Sequence, residues 1–320
     1  MEKMDFKRIS SLWLEDKSHY ARPSTIAAYS FILKKHLIPA FGTRECITET
    51  DAQEFAVRTI EKGLSRNYLK GMINVLKMVL HYGARHGFDV PMHMEVKIQK
   101  ETRNREPDVF SNKEQKVLLK YIWNNVDYMN IGVYMSLAFG LRIGEVCALK
   151  WQDLDFKAGL IHINKTMQRI YFPEESGINT KVVTGPPKSV SSIREIPMTE
   201  EFRKLMDRIL QKSDADPLSY VISGSRKAME PRSYRNHYRS LLEHLGLSRI
   251  KYHGLRHSFA TRCIDCRSDY KIVSSILGHS SVNTTLNLYV HPNIEQKREC
   301  LEKMTGMIAD GEQISSPAKP

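Results

Sequence analysis

Apolar residues recur at helical spacing through the first ninety positions, and polar or charged residues fill most of the intervening ones. The clearest run lies between Ser65, a residue type that caps helix N-termini, and Gly87, which can end a helix. The apolar residues of this run share one helical face: Leu69, Met72, Ile73, Leu76, Val79 and Leu80. The pattern predicts an amphipathic helix packed on a core.

Two shorter helices are predicted before this run. Ser24 is placed to cap a helix over residues 25–37, and Pro39 and Gly42 follow as stop signals. The sequence Thr50-x-x-Gln53 has the form of a capping box and predicts the start of the next helix. The N-terminal part of the chain is therefore expected to be entirely helical.

The pattern is mixed in the C-terminal part of the chain. Residues 130–139 form a strongly apolar helical segment that breaks at Gly140, whereas Ile161 and Ile163 alternate with polar residues as in a strand. The segment 195–198 also has strand character, and helical patterns dominate beyond it. The predicted fold class is mainly α, with a small antiparallel β-sheet in the C-terminal domain.

A polar, charged stretch without periodicity separates the two parts, and the capping box Ser111-x-x-Glu114 follows it. These signals predict five segments: a helical domain over 1–95, a linker over 96–110, a second domain over 111–292, a further helix over 293–308 and a disordered tail over 309–320.

The chain of 320 residues has a formal net charge of +12 and a pI near 9.4, and residues 1–105 hold +6 of that charge. A basic excess concentrated in one domain indicates a polyanionic partner such as DNA. No apolar run reaches the roughly 18–20 residues that a membrane helix needs. The first residues lack the apolar region of a signal peptide, so a cytoplasmic protein is expected.

Basic residues also occupy the polar positions of the long predicted helix and continue into the linker. A solvated helix face is the alternative interpretation, but the high charge of the domain favours phosphate contact. The candidate DNA-binding residues are Arg66, Lys70, Lys77, Arg85, Arg103 and Arg105.

Several other site types find no support in the sequence. The pair Cys263-x-x-Cys266 lacks a second ligand pair at zinc spacing, so no metal is expected there. The chain has no glycine-rich phosphate loop followed by Lys and Ser or Thr, which argues against nucleotide hydrolysis. No constellation of carboxylates stands out that would hold two magnesium ions. Neither a cofactor nor a metal is expected.

Four short motifs carry candidate chemistry, although each is weak by itself. In chain order they are Leu141-Arg142-Ile-Gly-Glu145, then Pro187-Lys188-Ser followed by Ser192-Ile-Arg194-Glu-Ile-Pro197, then His253-Gly-Leu-Arg256-His257, and finally Leu277-Gly278-His279 with Thr284-Thr-Leu-Asn-Leu-Tyr289-Val-His291. Together, the order Arg, Lys, His-x-x-Arg, His, Tyr is highly specific.

Through these motifs the chain resembles the tyrosine recombinase, or phage integrase, family over about residues 5–305. The resemblance implies a two-domain clamp on double-stranded DNA, formed by a helical core-binding domain of SAM-like type and a catalytic domain. It also implies a strand transferase that needs neither metal nor ATP, because a 3′-phosphotyrosyl intermediate conserves the bond energy. The implied catalytic residues are Arg142, Lys188, His253, Arg256, His279 and Tyr289.

The resemblance assigns each of these residues a role. Arg142 and Arg256 would bind the nonbridging phosphate oxygens, on which negative charge develops. Tyr289 would attack phosphorus, and Lys188 would protonate the leaving 5′-oxygen. His253 and His279 would donate hydrogen bonds to the phosphate and help manage the tyrosine proton.

Some assignments remain open at this level. Lys165 and Lys181 also lie near the predicted hairpin, and Lys188 is favoured because Pro-Lys-Ser precedes Ser-x-Arg-x-Ile-Pro. Glu145 is expected to orient the arginine three positions before it. His257 and His291 are expected to support the site rather than to react.

The family resemblance further implies a homotetramer on DNA, a Holliday-junction intermediate and a terminal helix over 293–308 that docks on a neighbouring subunit, with packing on its own domain as the alternative. The spacing between His279 and Tyr289 resembles integrases of transposons and conjugative elements, so integration and excision of a mobile element in a bacterial nucleoid is the favoured biology. An accessory excisionase or DNA-bending protein is a possible partner. The alternatives are DNA inversion, dimer resolution, a topoisomerase-like monomer, and a non-catalytic DNA-binding regulator on the same fold.

Overall fold

The fold is described from a computed structural model, in which residues 4–98, 108–174, 177–211 and 216–289 are placed, together with residues 294, 298, 301, 302, 304 and 305. Contacts between Cα atoms divide the chain into two units. The helical unit holds the described residues before 99 and residues 167–184, and the C-terminal unit holds residues 108–166 and those from 185 onward.

The helical unit packs five helices around one apolar core. Helix α5 supplies most of the buried residues, and Phe6, Ile9 and Trp13 of the first helix pack on the same core. Its elements are α1 (Phe6–Ser18), α2 (Pro23–Ile32), α3 (Ile38–Phe41), α4 (Glu49–Glu61) and α5 (Arg66–Arg85). Ser65 caps α5 by accepting the backbone N–H of Tyr68, as the sequence predicts.

Two predicted boundaries in this unit are wrong. Ser24 does not cap α2, which begins one residue earlier at Pro23, because proline needs no hydrogen-bond partner for its nitrogen at the start of a helix. The capping box of α4 is formed by Thr48 and Asp51 rather than by Thr50 and Gln53.

The predicted stop at Pro39 is also wrong. A π-helical turn over Leu33–Leu37 joins α2 to α3, and the N–H of Ile38 bonds to the carbonyl of Leu33, five residues earlier. The chain remains helical through Pro39 up to Phe41, and Gly42 follows it. A π turn changes the hydrogen-bond spacing locally, so a residue without an N–H is accommodated directly after it.

The C-terminal unit is mainly helical with a small sheet, which confirms the predicted fold class. Its helices are α6 (Asn112–Asn124), α7 (Tyr128–Phe139), α8 (Ile143–Ala148), α9 (Glu200–Leu210), α10 (Pro231–His244), α11 (His253–Asp265), α12 (Tyr270–Leu277) and α13 (Val282–Tyr289). The capping box predicted at Ser111 and Glu114 is present at the start of α6. Helix α11 packs on α7, α12 and α13.

Three strands form an antiparallel sheet in the order β1 (Leu154–Asp155), β2 (Leu160–Ile163), β5 (Arg194–Pro197). Ile161 and Ile163 of β2 are buried and their neighbours are less so, which explains the alternation in the sequence. Strands β3 (Thr166–Glu174) and β4 (Gly177–Gly185) pair with each other. In β3, the ring of Tyr171 lies edge-on to that of Phe31 in the helical unit, with centroids 5.7 Å apart.

Both described ends of the predicted linker are held by their own unit. The backbone of Lys97 exchanges two hydrogen bonds with the side-chain amide of Gln53, at 2.9 and 3.1 Å. Phe110 is buried, and its N–H donates to the hydroxyl of Ser258 on α11 at 2.8 Å. Lys97 and Phe110, near the two ends of the predicted linker, are thus each bonded within one unit; residues 99–107, with Arg103 and Arg105, lie outside the described residues.

The terminal helix predicted over 293–308 and the tail over 309–320 fall largely or wholly outside the described residues. No helix in the described part of the chain is long and apolar enough to cross a membrane.

Candidate active site

Two helices that end in left-handed glycines provide the framework of the site. Helix α7 ends at Gly140, with φ of 67°, and α12 ends at Gly278, with φ of 63°. A helix C-terminus leaves backbone carbonyl groups without partners in the helix. Arg256 of α11 is 1% exposed and donates to the carbonyls of Gly140 and Leu277 at 2.7 and 2.6 Å. The two helix ends therefore hold this guanidinium in one orientation.

Arg142 lies at the N-terminus of α8, and Glu145 holds it in place. The buried Glu145 carboxylate accepts the backbone N–H of Arg142 at 2.9 Å and its guanidinium at 2.7 Å. A second guanidinium nitrogen of Arg142 donates to the carbonyl of Gly278 at 3.1 Å. The side chain of Arg142 remains about one third exposed, so part of the guanidinium is accessible.

The same carboxylate binds a third arginine. Arg194 of β5 donates two hydrogen bonds to Glu145, at 2.9 and 3.1 Å, and its side chain is 5% exposed. Burial opposes the ionisation of Glu145, but the hydrogen bonds and charges of Arg194 and Arg142 outweigh it and lower the pKa of Glu145. Arg194 also donates to the carbonyl of Ile276, which ties β5 to α12.

His253 and His279 lie in this positive environment. Desolvation, followed by the charges of neighbouring groups that include Arg256 and Arg142, lowers the pKa of each histidine to about 4. The Nδ1 atom of His279 is 2.9 Å from the hydroxyl of the fully buried Thr285 on α13. Both imidazoles are therefore neutral near pH 7 in the free protein.

Tyr289 is the last residue of α13 and is 8% exposed. Its ring packs in a small core with Ala260, Val273 and Leu277. Burial raises the pKa of the Tyr289 phenol, and the opposing charges of Arg256 and Arg142 do not fully offset this. The hydroxyl lies 2.5 Å from Nδ1 of His257. The sequence predicts a supporting role for His257, and the structure places it in direct contact with the predicted nucleophile.

The structure separates the three lysine candidates. Lys165 pairs with the buried Asp153 at 3.7 Å, and Lys181 lies on β4, within the helical unit. Lys188 is exposed and immediately precedes Ser189, whose hydroxyl bonds to those of Ser191 and Ser192. Ser192 in turn lies 3.4 Å from the carbonyl of Gly278. Lys188 thus follows the β3–β4 pair on a segment tied to the site.

The predicted residues Arg142, Arg256, His253, His279 and Tyr289 are brought together, since charges from this set act on the pKa of each histidine and of the tyrosine. Three further members were missed or undervalued by sequence reasoning: Arg194, His257 and Thr285. The adjacency of His257 to Arg256 was the one available signal for its role. Nothing local to Arg194 or Thr285 indicates their partners.

The candidate DNA-binding residues of the helical unit lie on α5. Lys70 and Arg85 are exposed, and Arg66 and Lys77 are partly buried. Spacings of four, seven and eight residues along α5 place these side chains within a sector of about 100° of the helix, with Arg66 and Lys77 next to the buried face.

Among the described residues, no group of three or more His, Cys, Asp or Glu side chains is placed to hold a metal ion. Cys263 and Cys266 are free thiols, and burial raises the pKa of Cys263 to about 11.

Comparison with known proteins extends this picture. Residues 109–296 match the phage integrase family, and residues 5–56 match the N-terminal SAM-like domain of phage integrases. A XerC-like tyrosine recombinase of Caldanaerobacter subterraneus subsp. tengcongensis is 24% identical, over 92% of this chain and 81% of that protein. The ICEBs1 integrase of Bacillus subtilis is 23% identical, over 95% of this chain and 84% of that protein.

Solved structures share the fold. The Tn1549 transposon integrase in complex with transposon right end DNA superimposes with a TM-score of 0.74 at 21% identity, covering 94% of this chain and all of that one. A lambda integrase tetramer bound to a Holliday junction gives a TM-score of 0.66 at 14% identity, covering 92% of this chain and 80% of that one.

Proposed function

The chain belongs to the phage integrase family and is a tyrosine recombinase, and from that premise we propose that Tyr289 is the nucleophile with which it cuts and rejoins DNA. The observation that carries this proposal is the position of Tyr289 at the end of α13, where it is acted on by the charges of Arg256 and Arg142. Two buried or half-buried guanidinium groups beside a tyrosine suit attack on a phosphodiester.

The two arginines stabilise the transition state in this proposal. A phosphodiester under attack gains negative charge on its nonbridging oxygens, and fixed cationic donors aimed at that charge lower the barrier. The carbonyls of Gly140, Leu277 and Gly278 and the carboxylate of Glu145 already orient both guanidinium groups in the free protein. Little reorganisation is then needed when the phosphate binds.

The reaction proceeds by exchange at phosphorus. The Tyr289 oxygen forms a bond to phosphorus, the bond to the 5′-oxygen breaks, and Lys188 supplies the proton that gives a free 5′-hydroxyl. The product is a 3′-phosphotyrosyl enzyme, and attack by a 5′-hydroxyl of another strand reverses the step and rejoins the DNA. The neutral His253 and His279 donate hydrogen bonds to the phosphate, and its negative charge favours their protonation.

The biological role follows from the relatives rather than from the site. The ICEBs1 integrase and the Tn1549 transposon integrase align along more than nine tenths of this chain, which supports integration and excision of a mobile element. The lambda integrase tetramer on a Holliday junction supports a tetrameric assembly on double-stranded DNA for this chain. DNA inversion and dimer resolution use the same chemistry and remain the alternatives, and an accessory excisionase or DNA-bending protein belongs to the same proposal.

Covalent trapping tests the proposed nucleophile even when the target site of the recombinase has not been identified. The protein is mixed with a library of duplexes that carry a random core and a nick, so that cleavage releases a short fragment and prevents religation. We expect DNA to become attached to Tyr289, identified by mass spectrometry of the peptide and by sequencing of the trapped strand.

The matched control is Tyr289→Phe, which removes only the hydroxyl and should trap no DNA while still binding it. Attachment through another residue would refute the assignment of Tyr289. Binding without any adduct in the wild-type protein would instead support a non-catalytic DNA-binding role.

A further inference from the structure

The hydroxyl of Tyr289 makes one hydrogen bond within the described part of the chain, and its partner lies outside the predicted catalytic set. Nδ1 of His257 is 2.5 Å from the Tyr289 oxygen, and the two ring centroids are 5.6 Å apart. The two atoms are within hydrogen-bond reach, which is the geometric requirement for a general base. The partner of a nucleophile's proton is normally the group that removes it.

We propose that His257 is the catalytic base of the cleavage step, with Nδ1 accepting the phenolic proton as the Tyr289 oxygen attacks phosphorus. This inference rests on the proposed role of Tyr289. The proton leaves Tyr289 for His257 while the phosphorus–oxygen bond forms, and the 5′-oxygen leaves with a proton from Lys188. In the rejoining step His257 returns its proton to the tyrosine, so the cycle needs no net acid or base.

The charges around His257 favour an imidazole that can accept a proton. Burial and the adjacent Arg256 lower the pKa of His257, and Asp108, before α6, opposes them. His253, one turn earlier on α11, presents its ring at 82° to that of His257, with centroids 4.5 Å apart. Tyr289 is the contact from α13. His257 is therefore neutral near pH 7, and Nδ1 serves as acceptor when the ring carries its proton on Nε2.

Other candidate bases are occupied or differently placed. Nδ1 of His279 bonds to Thr285, and His253 shows no hydrogen bond to Tyr289 among the described residues. His257 is also fixed in position, because α11 holds it one residue after the buried Arg256. One helix thus presents a phosphate-binding cation and the base for the nucleophile side by side.

The test compares two substitutions with a matched control on a nicked duplex recovered by covalent trapping. His257→Ala removes the acceptor, whereas His257→Asn keeps an oxygen near Nδ1 that accepts a hydrogen bond but cannot take up the proton. The control is His237→Asn on α10, a half-buried histidine whose pKa is also lowered by burial. Single-turnover cleavage is measured from pH 5 to 10 at saturating protein.

We expect both His257 variants to cleave about 100-fold or more slowly near neutral pH, the ordinary effect of losing a general base. The wild-type rate should rise as pH increases through the pKa of His257, which lies below 6.5, and then level off. Without this base the phenol must ionise unaided. Because the pKa of Tyr289 is raised above 10, the variants' rates should keep rising into the alkaline range. His237→Asn should retain the wild-type profile.

Free imidazole supplies a second readout, because it can enter the space left by His257→Ala and should restore cleavage of that variant but not of His257→Asn. Near wild-type cleavage by His257→Asn, or an unchanged pH profile in either variant, would overturn the proposal and reduce His257 to a positioning residue. Failure of the wild-type protein to form a Tyr289 adduct would instead refute the nucleophile assignment, so the two failures are distinguishable.

Discussion

The two units of this protein differ in the polar residues that they bury. In the helical unit the described buried polar residues are Ser10, Ser30 and Thr59, none of them charged. The C-terminal unit buries Glu145, Asp153 and Arg256 among a larger polar set. Burying a charge is costly unless it is paired and hydrogen-bonded. The C-terminal unit therefore sustains that cost, with Glu145 and Arg256 buried at its site, whereas the helical unit has no charged residue among its described buried ones.

In the C-terminal unit, the two arginines of the site are held in one orientation before DNA binds. Arg256 is oriented by the carbonyls of Gly140 and Leu277. Arg142 is oriented by the carbonyl of Gly278 and by the carboxylate of Glu145. Those partners come from two distant stretches of the chain, residues 140–145 and 277–278. A cleavage site built in this way depends on tertiary packing. A substitution at the site should therefore be more damaging than the same type of substitution at an exposed position of the helical unit.

The largest contrast is expected between two carboxylates that differ in burial. Glu145→Gln leaves Arg194 buried without a counter-charge and should lower the free energy of unfolding by about 3–5 kcal/mol. Glu54→Gln breaks the exposed Glu54–Arg58 pair of α4 and should cost at most about 1 kcal/mol. Urea titrations that follow the transition of each unit would measure both values. Equal costs would contradict the contrast between the units.

A second contrast uses two left-handed glycines. Both Gly140→Ala and Gly63→Ala incur the strain of positive φ, about 1–2 kcal/mol. At Gly140 the new Cβ would also lie 2.7 Å from side-chain atoms of Leu277 and Phe259, whereas at Gly63 nothing lies within 4 Å. Overpacking should add about 1–3 kcal/mol at Gly140.

Thermal unfolding would measure these two variants, and trapping of DNA would show whether Gly140→Ala also misplaces Arg256. Gly63→Ala should trap DNA normally. A similar loss in both variants would mean that the packing around Gly140 relaxes without effect on the site.

The smallest expected effect concerns the surface charge of the helical unit. If Arg66 and Lys70 contact phosphates, the double variant Arg66→Gln/Lys70→Gln should bind DNA more weakly and lower the slope of log affinity against log salt by about 0.9 per lost contact. Fluorescence anisotropy with a fixed duplex would measure this slope. Lys7→Gln/Arg8→Gln on α1 removes the same charge elsewhere in the unit. Equal slopes for the two variants would indicate that no specific contact of α5 is involved.

Local sequence signals predicted the elements that depend on neighbouring residues. The helix capped by Ser65, the capping box at Ser111 and the break at Gly140 are all present. The errors arose where two local signals competed, as at Pro23 against Ser24 and at Thr48 against Thr50. Helix-start signals that lie within one or two residues of each other cannot be ranked from the local sequence alone.

The chain order Arg142, Lys188, His253, Arg256, His279, Tyr289 was sufficient to identify the family and to nominate these residues, because their types and spacings are together specific. What only the tertiary structure decided is how they are held. The sharing of Glu145 by Arg142 and Arg194, and the contact of His257 with Tyr289, join residues between 3 and 49 positions apart. Such contacts leave no periodic trace in the sequence, since they depend on how α8, α11, α13 and β5 pack and not on the propensity of any one segment.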